Sequence, residues 1–362
     1  MHSTLRCAMD HSPGTPERRL PADLSVSIVV ATLDRPQDLE SCLHALASQA
    51  TSRRVEIVVV DNNPASGLTS PVVKKFPSVV FVQEPRKGLA YARNAGILAS
   101  QGEIIVTTDD DVIAPCDWLE KLIAPLADER VKVATGNVLP LELETEAQRL
   151  FEVYGGLGRG THPLMADRSW VSQFKCRALP TWRLGATANA AFHASIFGHP
   201  QIGLMEETLG PGMPSGVGED TYLFYKVLKA GYTICYQPAA FVWHRHRREM
   251  GSLRSQIFNY SKGHVAYHLT TLFRDGDLRA LFHLACTLPL WRCYQMLKWI
   301  RRSDNYPLRF ILLEIYGNIL GPWALWQARR RVKREGRSSL CAKEDRLRRE
   351  RHILSHNETH ED

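Results

Sequence analysis

Asp109, Asp110 and Asp111 stand in a row, directly after an apolar β-branched run and two threonines ("EIIVTTDDDV"). Adjacent anions repel, so a folded chain that gathers three needs a positive charge to answer them. An Asp-x-Asp at the end of a strand suits a hard divalent cation. Such an ion takes carboxylate oxygens and keeps water and phosphate as its other ligands. A charged turn that also caps a helix is the alternative reading. Asp61, in "VVVDNN", also ends an apolar run. Its carboxylate could accept from the ring N–H of a uracil-like base, or simply open an Asx turn. Thr32, Asp34 and Arg35 in "ATLDRP" follow a third such run.

Four further groups carry chemistry. Arg93 and Asn94 sit in "RKGLAYARNAG", where Arg93 could reach a nucleotide or brace the aspartates by bidentate pairing. Glu219 and Asp220 open a helical segment behind flexible glycines. Anions are favoured at a helix N-terminus, so capping explains them. The sharper reading makes Asp220 a general base that takes a proton from an attacking hydroxyl. In "WHRHRRE", His244 is a candidate metal ligand or a donor to a leaving phosphate.

The elements that must position these residues alternate. Val26–Thr32, 55–60, Val79–Gln83, 103–108 and 132–138 read as buried strands, and 36 onward, 88–100 and 117–126 as helices. A short strand is expected at 232–236, after a helix at 219–230 stopped by Gly231. Alternation of this kind predicts an α/β fold with a mainly parallel sheet flanked by helices. In such sheets ligands bind beyond the carboxyl ends of the strands. Thr32, Asp34, Arg35, Asp61, Asn62 and the Asp cluster all follow strand ends and therefore converge on one rim.

Residues 1–24 read as a loose leader, 25–250 as the α/β domain, 251–328 as a helical extension and 329–362 as a basic tail. From Arg329 to His352 there are eleven Lys or Arg and four acidic residues, which accounts for the whole net charge of +7. The rest is neutral, so no nucleic-acid partner is expected for the core. The eight cysteines are scattered without a C-x-x-C pair, which suggests neither a zinc ribbon nor a disulfide framework. Residues 278–300 and 308–328 are rich in Leu, Trp and Tyr but interrupted by charge. Helices lying in an anionic membrane interface fit this composition better than a spanning helix. Ordinary amphipathic core helices are the alternative. The expected location is the cytoplasm, peripheral on the cytoplasmic face of the inner membrane.

Taken in order, "VSIVVATLDRP", "VEIVVVDNN", "GLAYARNAGI", "TTDDDV", "LGATANAAF", "GVGEDTYLFYKVLKAG" and "VWHRH" resemble the inverting family-two glycosyltransferases of GT-A fold, of the kind that builds bacterial cell-surface polysaccharides and glycolipids. The resemblance covers about residues 25–248. It implies a nucleotide-sugar-binding half (25–140) and an acceptor half (141–250). Thr32, Asp34, Arg35 and Asp61 would hold base and ribose, with Arg93, Asn94, Asp109 and Asp110 also on the donor. Asp109, Asp111 and His244 would hold Mn²⁺ or Mg²⁺, with Asp111 preferred as direct ligand. Asp220 would be the base and Glu219 its helper, and Gly185, Ala186 and Asn189 would line the sugar and acceptor pocket. The implied reaction transfers a sugar from a nucleoside-diphosphate sugar, UDP-sugar favoured, to a glycan or lipid-linked hydroxyl. Two departures stand out: "GATANAAF" inserts residues where the family reads Gly-Ala-Asn, and position 34 is Asp where many relatives have Asn. A nucleotidyltransferase acting on sugar phosphates would want a Gly-rich, Lys- or Arg-bearing phosphate loop after the first strand, which "ATLDRP" lacks. A non-catalytic, membrane-associated nucleotide-sugar-binding protein would not need both carboxylate sets intact.

Overall fold

The computed structural model describes residues 20–303 and 306–339, so most of the expected leader and of the basic tail lies outside the described residues. The first half follows the alternation in the sequence. β1 (Val26–Thr32) is buried along its whole length and leads into α1 (Pro36–Ala47), which begins on a proline pre-set for helical φ. β2 (Val55–Asp61), α2 (Ser70–Val73), β3 (Val79–Gln83), α3 (Leu89–Ala99) and β4 (Ile104–Asp109) follow. β1 to β4 pair in parallel, in the order β3-β2-β1-β4.

Because strand side chains alternate between faces, β1 feeds two cores. Ile28 and Val30 pack with Leu39, Leu43 and Trp118 on one face. Val29 and Ala31 pack with Ala92 and Ile97 on the other. At the second face α3 lies so close that a Cβ on Gly96 would stand 2.3 Å from Val29 Cγ1.

Beyond β4 the sheet is mixed. β5 (Val112–Ile113), α4 (Trp118–Ile123), β6 (Val131–Pro140), α5 (Glu146–Tyr154), β7 (Leu164–Ala166) and α6 (Arg168–Ser172) precede β8 (Asn189–His193). β8 inserts antiparallel between β4 and β6. The strand expected at 132–138 is therefore not a neighbour of β4. After α7 (Glu219–Lys229) comes β9 (Thr233–His244), much longer than the short strand read from the sequence. Its register on β6 shifts between Gly136 and Asn137, and this irregularity lets the strand run on to His244. There it pairs with β5, Val112 opposite His244.

The helical extension consists of α8 (Met250–Asp275), α9 (Leu278–Phe282), a π-helical turn at His283–Thr287, α10 (Leu288–Ile300) and α11 (Leu308–Glu335). α8 and α11 meet through small residues: a Cβ on Gly317 would lie 2.8 Å from Ser261 Cβ, and one on Gly321 2.5 Å from Val265 Cβ. The stretch read as a basic tail starts inside α11, where Arg329, Arg330, Lys333 and Arg334 are exposed while other residues are docked. Arg331 donates to the carbonyls of Gly212 and Lys87, and Arg337 pairs with the buried Glu206 at 3.0 Å.

Candidate active site

A cleft of about 1720 Å³ opens over the carboxyl ends of β1 and β4 and runs beneath the helical extension. Asp109, Asp110 and Asp111 form one wall. Asp110 is buried, accepting from Thr32 Oγ1 at 2.7 Å and from Arg35 at 2.9 Å. Burial, only partly offset by Arg35, pushes its carboxyl up to about 7. The same Arg35 nitrogen donates to Asp111 at 2.6 Å. Burial would raise Asp111 as well, but the charges of His244 and Arg35 more than offset it and hold this carboxyl below its ordinary range. Burial opposes protonation of His244, yet Asp111 beside it lifts the imidazole above its usual value.

The chain is folded so that Asp111 and His244 meet across the β5–β9 pairing, their side chains 3.2 Å apart. Arg245 N also donates to Asp111 O at 3.0 Å. Asp109, Asp111 and His244 thus offer three ligand atoms within 4.8 Å of one another. Asp111 Oδ1 is buried, with His244 Nε2 at 3.2 Å as its polar neighbour. Two carboxylates and one imidazole are a donor set that fits Mn²⁺ or Mg²⁺.

The opposite wall carries Glu219 and Asp220 at the start of α7. Gly218 caps the helix at φ +120°, a conformation that favours glycine. Asp220 accepts from the N–H of Thr221 at 2.6 Å. Glu219 is fully enclosed; burial, reinforced by Asp220 and opposed by Arg93, pushes it up to about 8. Arg93, only 2% exposed, links the two walls. It donates to Asp109 at 2.5 Å, to Thr187 and, at a long 3.4 Å, to Glu219. Of the two carboxyls that face Arg93, Asp109 is the nearer.

Other expected residues stand elsewhere. Asn189 is fully buried and does not line the cleft. Its amide donates to the carbonyls of Asn137 and Ala240, both at 2.8 Å, and accepts from Trp118 Nε1 at 2.9 Å. It is a cross-link between β8, β6, β9 and α4, because its place on β8 turns it into the core. Gly185 packs on Thr135 outside the cleft, whereas Ala186 lines it. Asn94 is fully buried too, holding Met205 and Glu207 through hydrogen bonds. Asp61 accepts from Asn63 N at 3.0 Å, the turn-opening contact. Asp34 is exposed and accepts from Asn63 Nδ2. Neither Asp34 nor Asp61 lines the cleft. Thr32 and Arg35 do line it, although their polar atoms are engaged with the aspartates.

Two residues were missed in the sequence, and a third, Asn62, was expected on the rim but given no role there. Asn62 lines the cleft and ties the loop before α3 by donating to Glu84 O and Arg86 O and accepting from Gly88 N. Arg159 enters it from an irregular glycine-rich loop, with burial pulling its pKa down. It donates to Trp182 O at 2.8 Å. Tyr260 belongs to α8. No local pattern marked Arg159 or Tyr260. The Asn after Asp61 was visible but overshadowed by the carboxylate.

Residues 27–178 match the family model for Glycosyl transferase family 2. Among curated proteins, the chain is 25% identical to an N-acetylglucosaminyltransferase of Bradyrhizobium diazoefficiens over 232 residues, which is 60% of this chain and 44% of that one. It is 24% identical to the pre-mycofactocin glycosyltransferase of Mycobacterium tuberculosis over 233 residues (64% and 44%). It is 28% identical to glycosyltransferase AglE of Haloferax volcanii over 119 residues (31% and 39%). The matches thus span less than half the length of these relatives. Among solved structures, a Pyrobaculum calidifontis mannosyltransferase in complex with GDP-Man and Mn²⁺ aligns at TM-score 0.48 and 18% identity, covering 88% of this chain and 78% of that one. Residues 27–178, on a mixed sheet with flanking helices, are thus similar to a family-two glycosyltransferase domain.

Proposed function

We propose that the chain catalyses metal-dependent, inverting transfer of a sugar from a nucleoside-diphosphate sugar to a hydroxyl of a glycan or lipid-linked acceptor. One observation carries this reading: a single cleft places the Asp109–Asp111–His244 trio on one wall and Asp220 on the other, with Arg93 between them. Asp109, Asp111 and His244 would hold Mn²⁺ or Mg²⁺. Such an ion supplies charge neutralisation for a departing nucleoside diphosphate.

The chain's own residues do the rest. Burial, reinforced by Asp220, pushes Glu219 up to about 8, and the role of base is assigned to Asp220 at the cleft wall. Asp220 accepts the proton of the acceptor hydroxyl as the oxygen bonds to the anomeric carbon. The bond from that carbon to the diphosphate oxygen breaks on the opposite face, and the centre inverts. Arg93 keeps Asp109 oriented, and Arg35 keeps Asp110 and Asp111 together at the charged wall.

The acceptor side is read from the extension. No helix among the described residues is long and apolar enough to cross a membrane. Yet α11 exposes Leu312, Tyr316, Ile319, Trp323 and Trp326, spaced by three and four as one stripe. α10 exposes Leu290, Trp291, Tyr294 and Leu297. Exposed Arg301, Arg302, Arg309, Arg329 and Arg330 flank these stripes. Aromatic and aliphatic stripes beside arginines fit the headgroup region of an anionic bilayer, on the cytoplasmic face of the inner membrane. A lipid-linked acceptor would be presented there.

The test is a thermal-shift panel of UDP-, GDP-, dTDP- and CMP-sugars with Mn²⁺, Mg²⁺ or chelator, UDP-sugars first. A shift for one nucleotide that requires metal and vanishes in Asp111→Ala is expected. Asp220→Asn should keep that shift and lose turnover by roughly 10²–10⁴-fold. No shift with any donor, or a product of retained configuration, would overturn the reading.

A further inference from the structure

We propose that His264, His268 and His283 form a second metal site, built for a transition cation of the Zn²⁺ class and separate from the carboxylate site. His264 and His268 lie one turn apart on α8 and so share a face. His283 opens the π-helical turn between α9 and α10. Such a widened turn is uncommon and occurs frequently at functional sites. It sets the third imidazole against the other two, with ring centroids 4.1 Å from His268 and 5.0 Å from His264.

The nitrogens converge. All three rings offer a nitrogen within 4.8 Å of the others. His264 Nε2 and His283 Nε2 are 2.8 Å apart and can share one proton. His268 is 1% exposed, and its Nε2 has no hydrogen-bond partner. A buried imidazole nitrogen without a partner, on a ring packed against two other imidazoles, is costly as it stands. One cation would satisfy all three. Zn–N bonds of 2.0–2.1 Å in tetrahedral geometry require nitrogens about 3.3 Å apart. The close pair would therefore open by only about half an ångström to admit the ion.

The surroundings agree. Burial lowers the proton affinity of all three imidazoles, the neutral form a metal needs. The nearby Arg292 is engaged by Glu314 at 2.6 Å and by Asn318, so its charge is already answered. Trp182 stands against all three rings, with centroids 5.5 to 6.2 Å away. His264 and His283 both line the cleft, which leaves a fourth coordination position open toward it. An all-imidazole set without oxygen donors suits Zn²⁺, Co²⁺, Ni²⁺ or Cu²⁺ and disfavours Mg²⁺. The ion would clamp the π-helical turn to α8 beside the cleft.

The experiment uses the full chain carrying Asp111→Ala, so that the carboxylate site does not hold the added ion. Chelator-stripped protein is titrated with Zn²⁺, and bound metal is measured by mass spectrometry after gel filtration. Zinc-edge X-ray absorption reports the ligands. One zinc per chain on imidazole nitrogens is expected. Adding His283→Gln should weaken binding by at least about tenfold, since even outer-shell changes cost 10–100-fold. His283 is only partly buried and its replacement should fold, which circular dichroism checks. His268→Gln serves as the second variant. No retained zinc, or zinc retained equally without His283, would overturn the proposal.

Discussion

At the scale of single residues, burial decides what each polar group does. Glu219 is a carboxyl at a helix N-terminus, where its anion would be favoured, yet enclosure beside Asp220 wins and the proton stays on. Its folded value is raised from 4.5 to about 8, so the folded state holds more protons than the unfolded chain across that window. Stability must therefore fall as pH rises through it. Denaturant titrations should show this decline, and Glu219→Gln, which cannot ionise, should flatten it. Asn189 makes the complementary case. Its amide closes bonds to two buried carbonyls and to Trp118. Asn189→Leu should destabilise the fold by about 3 kcal/mol, because it orphans those groups. Donor affinity of the remaining folded protein should hardly change. A large loss of affinity with intact stability would return Asn189 to the site.

At the scale of elements, the helical extension depends on close approach. α11 can lie against α8 only because Gly317 and Gly321 lack side chains. A methyl at Gly321 would lie 2.5 Å from Val265 Cβ, well inside contact distance. Gly321→Ala forces either the helices or Val265 to move, at a cost of about 1–3 kcal/mol by overpacking. Thermal denaturation checks this, and Val265→Ala in the same chain should restore part of the loss. The end of α11 matters equally. Arg331 bonds the carbonyls of Lys87 and Gly212, which flank the cleft. The extension is therefore tied to the loops that carry Lys87 and Gly212 as well as to α8.

At the scale of the whole molecule, the two ends of the cleft differ in character. One end is a wall of carboxylates and imidazole; the other lies under α10 and α11, whose outer surfaces carry tryptophan, tyrosine and leucine. A lipid-linked acceptor would enter from the second end. Vesicles containing anionic lipid should co-sediment with the protein, and zwitterionic vesicles much less. Replacing Trp291 and Trp323 by Ser should reduce partitioning roughly tenfold or more, since burying large apolar side chains contributes about 1.5–3 kcal/mol each. Equal recovery from both kinds of vesicle, or no effect of the double variant, would refute a bilayer partner.

Much of this was legible locally. The apolar runs of β1, β2, β3 and β4, the polar residues at their ends and the helix opening at Glu219 are set by contiguous residues, so pattern alone placed them. The same holds for the Asp cluster at the rim, because parallel strands share a direction. What only the tertiary structure decided rests on pairings between distant segments. β8 slots antiparallel between β4 and β6, which turns Asn189 away from the cleft. The irregularity in β9 carries that strand on to His244 and lays it against Asp111. Arg93 spans from one carboxylate wall to the other, and the π-helical turn brings His283 onto α8. A sequence states which groups exist and which neighbours they have along the chain. Register and burial, which depend on the whole packed sheet, choose which of them meet and which keep their protons.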